Sequence, residues 1–390
     1  RLLLLKNQYG ATIMSMSIST FEQHSKPSGF TSLFQKLNVD PVMLLLLLTL
    51  SGLGLVVIYS ASGQDMATFQ RQLVRLFVAY AVLFAIAQIN PIRLRNWSPW
   101  LYIAGIGLLI AVLAFGEMGK GAQRWISISG IRFQPSEMLK LALPMMVAWY
   151  FSEKRLPPTF GNLIIAATIV VVPVLLIAKQ PDLGTSLLIA SSGIFAIFLA
   201  GISWHIIFAC LAAMGALLPA LWAVMHDYQK QRVLTFLNPE SDPLGTGYHI
   251  IQSKIAIGSG GVYGKGWLNG TQSQLQFLPE RHTDFIFAVY SEEFGLLGCC
   301  GLLLLYFLII VRGMYIASQA QDTFSRLLAG SLTLTFFVYI LVNMGMVSGL
   351  LPVVGVPLPL IRYGGTSMVT LIAGFGIIMS VHTHRKLLST

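Results

Sequence analysis

Apolar residues run along this chain in long blocks, without the strict alternation of a half-buried strand or the single stripe of a surface helix. The stretch "MLLLLLTLSGLGLVVIYSA", residues 43–61, carries no charge. Wound as a helix, such a stretch is long enough to cross a hydrocarbon core of about 30 Å. Ten spans can be marked, at about 41–60, 73–89, 99–116, 136–151, 162–179, 185–201, 204–225, 284–311, 324–348 and 365–382. The expected fold class is all-α: a polytopic membrane protein with ten transmembrane helices. Residues 1–38 are expected to form a cytoplasmic N-terminal tail and 39–390 one polytopic membrane domain. Within it, 226–283 form a large periplasmic loop between helices 7 and 8.

Composition agrees. The 390 residues are 55% hydrophobic and 10% charged, against about 25% charged in a soluble domain. The net charge of +10 lies in loops between spans, which argues for membrane lipids and anionic ligands as partners and against nucleic acid. Cys210, Cys299 and Cys300 all sit in apolar runs and form no disulfide or metal spacing. Short basic loops set the orientation. Arg93 and Arg95, Lys154 and Arg155, Arg312 and Arg326, and Arg385 and Lys386 fall on one side, which is expected to be cytoplasmic. The opposite side is dense in both signs of charge, as a polar cavity opening outward for an anionic ligand would be.

Five stretches could carry chemistry. In "QFLPERHTDFIFAV", Pro279 suits a first helical turn, and Glu280 and Asp284 then share a face, near Arg281 and His282. Glu292 and Glu293, deeper in the span, read as structural partners of a buried cation. Asp284, at the water boundary, reads as a chemical group. In "GAQRWISISGIRFQPSEMLKLALP", Glu137 and Lys140 stack on one helix face as a neutralising pair. Arg124 and Arg132 have no neighbouring acid and suit phosphate oxygens, while Trp125 suits the interface belt. In "AKQPDLGTS", Asp182 reads first as a helix cap beside Gln180. "HIIQSKIAIG" reads as an interfacial amphipathic helix ended by Gly258, with Lys254 and Lys265 turned to phosphates or headgroups. The glycines that follow do not form a nucleotide loop. "GLLPVVGVPLPLIRYGGTS" reads as a re-entrant segment, which needs protein or a water-lined cavity around it.

Together, "FLPERHTDFIFAV…EEFG", "RFQPSEMLKL", "QPDLGTS", "PVVGVPLPL" and "YGGTS" resemble the SEDS family of peptidoglycan polymerases over residues 39–388. Further stretches, "MHDYQKQRV" and "HTHRKLL" among them, resemble its rod-shape-determining branch. The resemblance implies ten transmembrane helices and a glycosyltransferase acting on lipid II at the outer face of the bacterial inner membrane. It implies that Asp284 is the catalytic acid residue, and that a class B penicillin-binding protein, a transpeptidase of the elongation machinery, is a partner. One departure is visible: Arg362 stands where the family usually has Ser.

A lipid-linked diphosphate is already a good leaving group and needs cations, whereas the attacking hydroxyl must lose a proton. One carboxylate in a basic cluster suffices for that; a glycosidase needs two carboxylates astride the bond. Asp284 is therefore expected to act as general base. Substrate contacts are expected from Arg75, Arg124, Trp125, Arg132, Glu137, Lys140, Gln180, Asp182, Lys254, Glu280, Arg281, His282 and Tyr363. A divalent cation, Mg or Mn, is the one cofactor considered. The rival expectation is a lipid II flippase. Against it, the charges gather at helix ends rather than at the membrane midplane, and no internal repeat is evident.

Overall fold

The computed structural model describes residues 37–119, 122–128, 131–225, 230, 234–235, 238, 246–275 and 281–384. The expectations for residues 1–36, Glu280, Arg385 and Lys386 lie outside the described residues, as does the side chain of Arg132.

The described chain is nearly all helical. In order come α1 (Pro41–Ala61), α2 (Met66–Ala87), α3 (Pro91–Phe115), α4 (Pro135–Ser152), α5 (Phe160–Lys179), α6 (Leu183–Leu199) and α7 (Trp204–Val224). Then follow α8 (Thr246–Ser259), the single turn α9 (Thr271–Gln274), α10 (Ile286–Ser318), α11 (Thr323–Val347) and α12 (Thr366–Thr383). Among the described residues, seven helices are long and apolar enough to cross a membrane: α1, α2, α3, α5, α10, α11 and α12. The chain is therefore a multi-pass membrane protein. Between α3 and α4 the all-α expectation needs correcting. Strands β1 (Glu117–Gly119), β2 (Ala122–Ile128) and β3 (Ile131–Phe133) form a small antiparallel sheet in the order β1-β2-β3. Its β-branched and aromatic residues favour extended backbone.

Helices this uniformly apolar carry no periodic signal for their ends; capping residues set them. Asp40, Asp65, Asn90, Asp182 and Asp322 each accept a backbone N–H at the start of α1, α2, α3, α6 and α11. α2 and α3 begin at Met66 and Pro91, well before the apolar runs at 73 and 99, because the helix continues through its charged first turns. α11 is the central helix: 72% of its most apolar stretch is buried, against 22% for α2 and α3.

Two irregular features shape the loop-rich end of the bundle. α10 breaks at Gly295, whose φ of 63° and ψ of −164° only glycine adopts without strain. The turn after α8 takes up the backbone groups released there. Lys265 and Gly266 donate to the carbonyls of Glu292 and Glu293, both at 3.0 Å. Leu296 and Leu297 donate to those of Gly261 and Val262 at 3.0 and 3.1 Å. The Glu292 carboxylate, fully buried, accepts from Lys265 Nζ at 2.8 Å, Thr271 Oγ1 at 3.0 Å and the Gln272 amide at 3.0 Å. Glu293 accepts from the Ser60 hydroxyl. Glu292 thus holds the fold with a buried cation, as expected, whereas Glu293 meets a hydroxyl instead of a cation, and Lys265 is corrected from a headgroup contact to the partner of Glu292. The second feature is the non-helical stretch 351–365, which is walled by protein. Val356, Leu358, Leu360 and Ile361 are buried, and Asn343 Nδ2 and the Tyr306 hydroxyl donate to the Val356 and Pro359 carbonyls, each at 2.8 Å.

Candidate active site

The helix expected to begin at Pro279 begins at Ile286 instead. Residues 281–285 form a turn, so Asp284 sits just before the helix and not on its face. Three elements fix that turn. Asn343, buried in α11, donates from one amide group to the backbone carbonyls of both Asp284 (3.1 Å) and Val356 (2.8 Å). The Tyr363 amide donates to the His282 carbonyl at 3.0 Å. His249 of α8 stacks on Phe285, with ring centroids 5.6 Å apart. The Asp284 carboxylate therefore projects from a pinned backbone, with its side chain 25% exposed.

Around it the charge is positive. Arg362 Nη2 lies 3.3 Å from Asp284 Oδ1. Arg75 stacks on the face of Tyr363, 4.5 Å from the ring centroid, and Arg71 Nε donates to the Tyr363 hydroxyl at 3.3 Å. The His282 ring meets the same tyrosine edge-on at 6.1 Å. Arg281 is half-buried, within reach of Gly63: a Cβ there would lie 3.6 Å from its Nη2. That burial lowers the Arg281 pKa. Gln72, fully buried in α2, donates to the Arg362 carbonyl at 3.5 Å and accepts from the Gly364 amide at 3.3 Å. Asp284, Arg281, His282, Tyr363 and Arg75 thus gather in one place.

The remaining candidates lie outside this cluster. Glu137 and Lys140 are buried and paired at 2.7 Å, and Lys140 lies over the Tyr339 ring at 5.7 Å. Lys140 heads a shallow groove of about 40 Å³ between α4, α11 and α12, lined further by Leu332, Phe336, Leu371 and Phe375. Tyr339 and Asn343 are four residues apart on α11, hence on one face. Lys140 and the Asp284 turn therefore both meet side chains of one face of α11. Arg124 is not without an acid, as its sequence surroundings suggested: Asp182 Oδ2 stands 3.6 Å away, and the Gln180 and Pro181 carbonyls accept from its guanidinium. Asp182 caps α6 through the Thr185 amide at 3.2 Å. Gln180 is buried and donates to the Leu109 carbonyl at 3.2 Å. Arg124, Gln180 and Asp182 thus brace the β-sheet loop against the α5–α6 turn. Trp125 is half-buried opposite Glu117 of β1. Lys254 is exposed on α8, its end over Gly349.

Sequence reading missed Asn343 and Gln72. The signal for Asn343 and Gln72 was present, since an uncharged polar side chain in a membrane span needs partners inside the protein.

Similarity to known proteins is extensive. Residues 41–387 match the family described as cell cycle protein, FtsW/RodA/SpoVE. The chain is 56% identical over 357 residues to the peptidoglycan glycosyltransferase MrdB of Escherichia coli K12, covering 91% of this chain and 96% of that protein. It is 33% identical to the stage V sporulation protein E of Bacillus subtilis, covering 90% and 99%. Among solved structures, it resembles a chain from work on the structural coordination of polymerization and crosslinking by a peptidoglycan synthase complex. That match has a TM-score of 0.78 at 30% identity, covering 88% of this chain and 97% of the other. It also resembles the rod shape determining protein RodA of Thermus thermophilus, with a TM-score of 0.68 at 27% identity, covering 89% and 98%. This chain belongs to the FtsW/RodA/SpoVE family.

Proposed function

We propose that this protein is a peptidoglycan glycosyltransferase that polymerises lipid II into glycan strands during cell elongation, with Asp284 as general base. The carrying observation is a quarter-exposed carboxylate on a pinned turn beside Arg362, next to a tyrosine that carries two further arginines, in a chain 56% identical to a protein named for that activity. In the reaction the Asp284 carboxylate takes the proton of the acceptor's 4-hydroxyl. That oxygen forms a bond to the donor's anomeric carbon while the bond from this carbon to the diphosphate oxygen breaks. The diphosphate leaves with the electron pair, and displacement from the opposite face inverts the anomeric centre. Arg71, Arg75, Arg281 and Arg362 supply positive charge where the leaving group gains negative charge.

Among the described residues, no three His, Cys, Asp or Glu side chains gather to hold a metal ion. A divalent ion such as Mg or Mn would therefore arrive on the diphosphate rather than in a protein cage. Helices α4, α6 and α7 complete ten crossings, with the Glu137–Lys140 pair neutral within α4. The positive-inside rule puts the basic loops in the cytoplasm and Asp284 at the periplasmic face of the bacterial inner membrane. The segment between α7 and α10 is then the large periplasmic loop. The partner is a class B penicillin-binding protein; resemblance to a chain of a synthase complex that joins polymerization to crosslinking supports it.

The test is reconstitution of the purified chain with labelled lipid II. Glycan strands from the wild type and none from Asp284→Asn support the reading. Lipid movement across the bilayer without polymer would replace it with a flippase.

A further inference from the structure

The arginine beside the base is held more loosely than three other cations of the bundle. Lys140, Lys265 and Arg312 each hydrogen-bond a carboxylate at 2.7–2.8 Å. Arg362 meets Asp284 Oδ1 at 3.3 Å, outside hydrogen-bond geometry. Asp284 Oδ1 and Arg362 Nε are both buried atoms without a hydrogen-bond partner. The Arg362 backbone is fixed, its amide donating to the Leu358 carbonyl at 3.3 Å and its carbonyl accepting from Gln72 at 3.5 Å. Only its side chain is left to adjust. The two carboxylate oxygens also differ. Oδ1 is buried against Arg362, so the exposed part of the side chain lies towards Oδ2. Oδ2 faces Gly355, a residue at φ 72° where an added Cβ would stand in van der Waals contact with it at 3.7 Å. Glycine leaves that side of Oδ2 without a side chain.

We infer that Arg362 is a positioning residue linking the two substrates: it holds Asp284 by Oδ1, presents Oδ2 across Gly355 to the acceptor hydroxyl, and gives its unpaired N–H edge to an oxygen of the donor's diphosphate. A guanidinium has five N–H donors in a rigid fork and can serve a carboxylate on one edge and a phosphate on another; an ammonium is a single point charge and cannot. Binding of the diphosphate thereby draws the arginine and its carboxylate into register, which couples donor occupancy to readiness of the base. This rests on Asp284 acting as the base.

The test uses the full chain in the lipid II polymerisation assay, with Arg362→Ser, Arg362→Lys and Asp284→Asn in parallel and inorganic pyrophosphate as the diphosphate probe. The expected result for Arg362→Ser is a fall in kcat/KM of about 10–100-fold, the range for losing a charged hydrogen-bonding partner. It should also need at least about five times more pyrophosphate for half inhibition, and millimolar guanidinium added to the buffer should restore part of its kcat. Arg362→Lys should stay closer to Ser than to wild type. Wild-type kinetics and pyrophosphate sensitivity in Arg362→Ser, with Asp284→Asn inactive, would overturn the linking role alone. Activity in Asp284→Asn would overturn the base and this role with it. A low rate in Arg362→Ser with unchanged pyrophosphate sensitivity and no guanidinium rescue would reduce Arg362 to a packing residue.

Discussion

Asp284 and Glu292 lie eight residues apart at the same end of α10, and they are held in opposite ways. Glu292 has no exposed side-chain surface and accepts from an ammonium, a hydroxyl and a backbone amide at 3.0 Å or less. Asp284 is a quarter exposed and has one guanidinium at 3.3 Å. A buried charge costs several kcal/mol unless its lone pairs are filled, and filling them leaves nothing for a substrate. A carboxylate that works must keep an oxygen uncommitted, and its backbone must carry the precision that its side chain gives up. Asn343 and Tyr363 do this by gripping the turn through its carbonyls.

The contrast can be broken by exchanging the roles. Asp284→Asn should lower polymer formation by about 10²–10⁴-fold, the usual worth of a general base, with thermal unfolding unchanged in detergent. Glu292→Gln should do the reverse. It should cost about 1–3 kcal/mol of stability, the price of a broken buried contact, while the fraction that stays folded retains its turnover. A folded but inactive Glu292→Gln would end the distinction. A smaller effect tests the polar residues outside the Asp284 cluster. Asp182→Ala should cost about 0.5–2 kcal/mol as a lost helix cap, whereas Asp182→Asn, which keeps the accepting oxygen, should remain near wild type in stability and in KM. A several-fold rise in KM for the Asn variant would move Asp182 from brace to substrate contact.

The smallest effect is one of pH. Asp65, the exposed cap of α2, is held below its ordinary value of 3.8 by the Thr68 hydroxyl first and the Ala67 amide next. Its contribution is complete above the unfolded-state value and is lost as the pH falls through the lower folded-state value. Melting curves taken between about pH 4 and 2 should therefore show an acid-side decline that Asp65→Asn lessens. An identical decline in both proteins would show that Asp65 contributes nothing.

Much of this was legible in the sequence. Uniform apolar runs marked the membrane helices, although hydropathy placed the starts of α2 and α3 seven or eight residues late, since it responds to burial in lipid and not to capping. The non-helical stretch 351–365 was legible because proline and glycine in apolar company break helices. The structural reading of Glu292 held, but its partner Lys265 was assigned to headgroups, because the two meet only once α10 breaks at Gly295. Arg124 was likewise read as unpaired, since its acid is 58 positions away. Long-range pairing of this kind leaves no local trace. The small sheet was missed because three short strands carry little weight beside ten apolar runs.

Gln72 has a consequence of its own. A primary amide offers a donor and an acceptor without charge, so this one side chain stands in for a peptide unit and stitches α2 to both sides of Tyr363. The polar contacts around that tyrosine's ring and hydroxyl, made by Arg71, Arg75 and His282, all involve ionisable groups. The frame on which the arginines are mounted should therefore keep its shape through changes of salt that weaken the arginines' own attractions.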